Sequence, residues 1–319
     1  MRKLKEILYI APILTVAVMI LLQPTVYAQK AIEGITVWFT FVLPSLFPFF
    51  FFNGILTKSN LFISFSKVFN YPLKKTLNLS GISGYVAFLS YVSGYPIGAK
   101  LTASLYEQNL LSKDDVLPTA ILSSTSGIVF IIGTVGGMIL KSAKIGVIIY
   151  ICHLLSAYLT AILFKNKAIT TKNSYLVMKQ SGNVLYETMY DSVIAILIVG
   201  GYISLFYVIF HAVINTGALS PLIACFDRLF SPISSNLGKT VLSGIFEATQ
   251  GIKGISELVL DKKIAGIFSC AFITFGGLSI NAQNLAFISK HLSIAKYLLA
   301  KVIQCVIATT LCALILILI

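Results

Sequence analysis

Ser93-Gly94-Tyr95-Pro96-Ile97-Gly98-Ala99-Lys100 interrupts an apolar stretch that extends over residues 82–106. Glycine accepts backbone angles that other residues avoid. Proline removes an amide donor and disfavours helical geometry in the residue before it. Gly94, Pro96 and Gly98 therefore break any helix entering this stretch. It is too interrupted for an ordinary membrane span and too hydrophobic for a loop. Residues 240–259 behave alike around Phe246-Glu247-Ala248-Thr249-Gln250-Gly251-Ile252-Lys253-Gly254. Both segments read as re-entrant hairpins or discontinuous helices, which lipid tolerates only where protein buries them or they line a wet cavity.

The rest of the chain supplies the lipid-facing context. Of 319 residues 57% are hydrophobic and 11% charged, with mean hydropathy +0.91. Soluble domains carry about 25% charged residues, so a soluble enzyme, a disordered chain and a secreted disulfide scaffold are all excluded. Cys152, Cys225, Cys270, Cys305 and Cys312 are scattered without a CxxC pair, which makes them packing residues rather than zinc ligands or a disulfide framework. A core of about 30 Å takes roughly 20 helical residues to cross. Full spans are expected near residues 7–23, 37–56, 116–140, 145–164, 192–214, 264–288 and 296–319. The fold class is an all-α polytopic membrane protein, with about seven full transmembrane helices plus two broken hairpins. Residues 1–30 read as an uncleaved N-terminal transmembrane helix, although Val26-Tyr27-Ala28 resembles a signal-peptide cleavage site.

The net charge of +13 is carried by basic residues set singly between apolar segments, a pattern of membrane topology and not of nucleic-acid binding. With the N-terminus inside, Arg2, Lys3, Lys5, Lys58, Lys67, Lys74, Lys75, Lys113, Lys165, Lys167, Lys172, Lys179, Lys290 and Lys296 fall in inner loops. Lys30, Lys141, Lys144, Arg228, Lys239, Lys262 and Lys263 fall outside, and Lys100, Lys253 and Lys301 are left unassigned. The bias favours a cytoplasmic N-terminus, and Trp38 then belongs at the outer end of the second span as an interfacial anchor.

One integral membrane domain is expected, built from two halves. Residues 37–165 and 174–319 each hold a full span, an amphipathic stretch, a broken segment, a short charged turn and a span rich in small and polar residues. The first broken segment enters from inside and the second from outside, so the halves form inverted repeats. In that plan the substrate site lies between the interrupted segments near the midplane.

Candidate binding residues follow. In the first segment these are Ser93, Gly94, Tyr95, Pro96, Gly98 and Lys100. A helix restarting there aims free N–H groups and a partial positive charge inward, an anion site to which Lys100 adds a full charge unless it snorkels to the interface. In the second they are Glu247, Thr249, Gln250 and Lys253. An ionised Glu247 costs several kcal/mol in an apolar stretch, so it is protonated, paired with Lys253 or Lys100, or facing water. It is the expected ion-coupling residue. Ser124 and Ser126, with Ser279, Asn281 and Gln283, place hydroxyls and amides in the following spans, where they bond a ligand or a neighbouring helix. Gly133 and Gly137 form a GxxxG step expected to pack closely. Pro44 and Pro48 form a hinge, and His153 and His211 are packing residues. No HExxH, GxSxG or Walker loop occurs, so neither an enzyme nor a cofactor is expected.

These elements resemble a known family. Val42-Leu43-Pro44-Ser45-Leu46-Phe47-Pro48-Phe49-Phe50 is similar to a motif of the sporulation integral membrane proteins of the YlbJ, or stage V sporulation protein V, family. So are residues 93–100, Glu247-Ala248-Thr249-Gln250-Gly251 and Phe275-Gly276-Gly277-Leu278-Ser279-Ile280-Asn281-Ala282-Gln283. The resemblance covers roughly residues 7–319. It places the chain in a wider group with a nucleoside-recognition or gate domain. What it implies is passage of dipicolinic acid, a small planar dianion, through the outer forespore membrane. Helix N-termini with Lys100 or Lys253 would meet its carboxylates, and Glu247 would couple a proton or sodium ion. A nucleoside-type permease and a non-transporting sporulation scaffold remain open as alternatives. Expected partners are thus the lipid bilayer, a small anion and a coupling cation, in the bacterial cell membrane or outer forespore membrane.

Overall fold

The computed structural model describes residues 14–59, 61–165, 183–234 and 237–319, and among these every regular element is helical. A helical stretch over residues 14–22 yields at Gln23 to α1 (Pro24–Val37), so most of the expected span 7–23 lies outside the described residues. A wider-wound turn, Trp38–Val42, joins α1 to α2 (Leu43–Lys58). Pro44 and Pro48 deprive preceding carbonyls of donors. Ser45 Oγ shares its hydrogen between the Phe41 and Val42 carbonyls, each at 2.9 Å, in the turn just before it. The result is one apolar helical unit of 35 residues, Pro24–Lys58. Trp38 therefore sits mid-helix and not at a span end. Its indole Nε1–H donates to the Ile196 carbonyl at 3.1 Å and its ring covers Gly200, so it packs against protein where an interfacial anchor was expected. The Val26-Tyr27-Ala28 stretch lies inside α1, with Tyr27 buried against Val208 and Ala212.

The described helices continue as α3 (Leu61–Leu77), α4 (Gly81–Ser93), α5 (Ile97–Glu107) and α6 (Lys113–Leu122), followed by a π-wound helix Val129–Ile139 and α7 (Ala143–Leu163). Then come α8 (Val184–Asn215), α9 (Ser220–Leu229), α10 (Leu237–Phe246), α11 (Ala248–Glu257), α12 (Lys262–Phe275), α13 (Gly277–Ile288) and α14 (Ile294–Leu318). The order recurs: long helix, amphipathic helix, pair of short helices, interrupted span, closing span. Among the described residues, five helical units are long and apolar enough to cross a membrane: Pro24–Lys58, Ala143–Leu163, Val184–Asn215, Lys262–Ile288 and Ile294–Leu318.

Two expectations need correction. Residues 116–140 are not one span, because helix stops at Leu122 and resumes, π-wound, at Val129. Wider winding also moves the close contact. Among the described residues Gly133 and Gly137 meet no other helix, whereas a Cβ on Gly136 would lie 2.7 Å from the Gly146 Cα. A GxxxG stripe presupposes 3.6 residues per turn, and this helix does not have it.

The short pairs pack as hairpins, α4 on α5 and α10 on α11. At 1.5 Å per residue, α4 is about 20 Å long and α10 about 15 Å. Each is too short to cross a core of about 30 Å by itself.

Candidate functional site

Each tip rests on an interrupted span. Gly94 adopts φ +83°, and a Cβ there would lie 2.5 Å from the Gly127 nitrogen, while one on Gly98 would lie 2.4 Å from the Ser123 carbonyl oxygen. In the second half Gly276 and Gly277 both take positive φ and end α12. A Cβ on Gly277 would lie 3.0 Å from the Ala248 nitrogen and 3.2 Å from the Glu247 Cα. Only residues lacking a side chain let the two backbones approach this far.

Between the tips lies a cavity of about 40 Å³ lined by Tyr95, Ser126, Glu247, Thr249, Ile280 and Gln283 among others. Glu247 is fully buried and caps α11: its Oε2 accepts from the Gln250 amide at 2.7 Å and, in a shorter contact, from the Thr249 hydroxyl. Its Oε1 is buried with no hydrogen-bond partner among the described residues. The expectation of a helix N-terminus free to take a substrate anion fails at this tip, because Glu247 itself occupies it. No lysine pairs with Glu247 among the described residues.

The two expected lysines go elsewhere. Lys253 is exposed and faces Glu257 at 3.9 Å, because α11 turns that side outward. Lys100 lines a separate cavity of about 170 Å³ with Asn53, Lys58, Asp191 and Ser192. The cation beside the tip is Lys301, 1% exposed on α14. Its Nζ donates to the Tyr95 hydroxyl at 2.9 Å, to Gln304 Oε1 at 2.9 Å and to the Ser124 carbonyl at 3.4 Å. Tyr95 in turn donates to the same carbonyl at 2.9 Å, and Gln304 Nε2 does so at 3.2 Å. A lysine inside an otherwise apolar helix was the available signal, and its position alone did not say which tip it reached.

The remaining predicted residues divide between cavity and scaffold. Ser93 Oγ bonds the Phe49 carbonyl and Asn53, tying α4 to α2, and Pro96 is buried at the tip. Ser124 Oγ meets the Tyr297 hydroxyl at 2.9 Å. Asn281 Nδ2 donates to the Phe275 and Gly277 carbonyls at 2.9 and 2.7 Å, closing the break in the span, and its Oδ1 has no partner among the described residues. Gln283 reaches Ser279 Oγ at 3.5 Å. The Gln250 side-chain oxygen is likewise buried without a partner among the described residues. His153 is more than packing. Its Nε2 accepts from the Ser126 amide and its Nδ1 meets Thr274 Oγ1, both at 2.9 Å, so the neutral ring braces one interrupted span against the other.

Over 332 aligned positions the chain is 25% identical to the "Sporulation integral membrane protein YlbJ" of Bacillus subtilis (strain 168), spanning 95% of this chain and 80% of that one. This similarity supports the YlbJ family assignment that the motifs implied. No family model matches the chain, and no solved structure does.

Proposed function

We propose that this relative of a sporulation integral membrane protein is a transporter of a small organic anion, and that the anion is dipicolinic acid crossing the outer forespore membrane. One observation carries the reading. Two helix-breaking tips and two interrupted spans converge on one cavity, which has Glu247 on one side and Tyr95, bonded to Lys301, on the other. A purely structural interior does not favour two buried ionisable groups without an ion pair between them. A solute bearing carboxylates, accompanied by a proton or sodium ion at Glu247, completes both charges. The N-terminus is cytoplasmic in this reading, and the two halves are inverted with respect to the membrane.

At about 40 Å³ the cavity has room for one or two waters and none for a pyridine ring with two carboxylates. Entry then requires the tips to leave their spans, as alternating access does. Spores of a sporulating host deleted for this gene should lack dipicolinate and regain it when dipicolinate is supplied externally. Normal dipicolinate content overturns the reading. Binding competed by nucleosides and not by pyridine dicarboxylate would instead favour a permease. Sporulation unaffected when the cavity's polar residues become Ala or Leu would favour a scaffold.

A further inference from the structure

Among the described residues Lys301 Nζ bonds only neutral oxygens, and it also lies 5.2 Å from the centre of the Tyr95 ring. An ammonium has three N–H donors, and all three are used: on the Tyr95 hydroxyl from the hairpin tip, the Ser124 carbonyl from the interrupted span, and the Gln304 amide oxygen from its own helix. The titratable groups facing it are Tyr95, Cys305 and His153, with Tyr297 beyond Ser124. No carboxylate pairs with it among the described residues. A buried charge with no counter-ion is costly, yet its saturated donors leave it nothing with which to hold a solute while the tip is seated. Oxygen from a carbonyl, an amide and a hydroxyl, gathered at a break in a membrane helix, is the setting in which proteins replace the hydration shell of a monovalent cation.

We propose that these three oxygens form a monovalent-cation site whose occupant is the chain's own Lys301, and that this tethered cation clamps the first hairpin tip to its interrupted span. The clamp does not depend on which solute is carried. Lys301 is thus a positioning residue for the gate.

The test uses the purified full chain in lipid nanodiscs and reads hydrogen exchange in peptides covering residues 90–100. In Lys301→Ala, losing charge-assisted bonds raises exchange there about tenfold or more. Methylammonium or ammonium at constant ionic strength restores protection, and tetramethylammonium, too large for the site, does not. Restoration persists when Glu247→Gln is added. Lys301→Met, which fills the space without charge, exchanges fast like the alanine variant. Wild-type protection in Lys301→Met would reduce Lys301 to packing and overturn the proposal. So would fast exchange in Lys301→Ala that neither cation reverses, or a reversal that vanishes with Glu247→Gln. If the alanine variant does not fold, the methionine variant decides.

Discussion

Gly94 and Gly127 meet backbone to backbone, with a Cβ on the first placed 2.5 Å from the nitrogen of the second. The tip of the first hairpin is therefore seated by the absence of side chains, at a φ of +83°. With ψ at −171° this is an extended positive-φ conformation that is almost exclusive to glycine, so Gly94→Ala carries both a backbone penalty of about 1–3 kcal/mol and the clash. Gly217 has a similar φ of +74° but nothing nearer than 4.0 Å, so Gly217→Ala carries the backbone penalty alone. Thermal unfolding in detergent should show a clearly larger loss for Gly94→Ala; equal losses would mean that the tip is not seated on Gly127.

Glu247→Gln should fold with stability within about 1 kcal/mol of the parent, because an amide oxygen still accepts from the Gln250 amide and caps the helix. Dipicolinate uptake into vesicles by this variant should lose its dependence on pH or sodium. Uptake at the parent rate with unchanged dependence would remove the coupling role.

His153→Ala deprives the Ser126 amide and the Thr274 hydroxyl of a shared partner. At about 1–3 kcal/mol for each buried group left unmet, it should be among the most destabilising single changes. A midpoint unchanged in thermal unfolding would refute the brace.

Along the π-wound helix, Gly136→Leu should unseat the contact with Gly146, whereas Gly133→Leu should be accommodated, its nearest neighbour being the Val129 side chain at 3.7 Å. Expression level and monodispersity of the two variants separate this register from an ordinary GxxxG face.

Lys253→Ala should leave stability within about 0.5 kcal/mol and anion affinity unchanged, because an exposed lysine 3.9 Å from an exposed glutamate contributes little. A large fall in dipicolinate affinity would return Lys253 to the site.

What could be read from the chain alone was whatever depends on neighbours in sequence. Apolar run length established helices in lipid, and Gly94, Pro96 and Gly98 marked the first break because backbone freedom and donor loss are local properties. Glu247 stood out because a carboxylate in an apolar run is anomalous wherever the chain goes. Hydropathy hid the interruption after Leu122, since serine and threonine cost a span little and the unwound turn is held by partners remote in sequence.

Tertiary structure decided which charges face inward. A helix of 3.6 residues per turn can aim a lysine to any side, and only packing turned Lys253 to the outside and Lys301 to a tip 206 residues away. The same holds for His153, whose partner Thr274 lies 121 residues on. It holds for the α11 terminus too, open to an anion on paper and closed by Glu247 once the chain is folded. Those pairings rest on distances between remote backbone segments, and such distances exist only after the helices have packed.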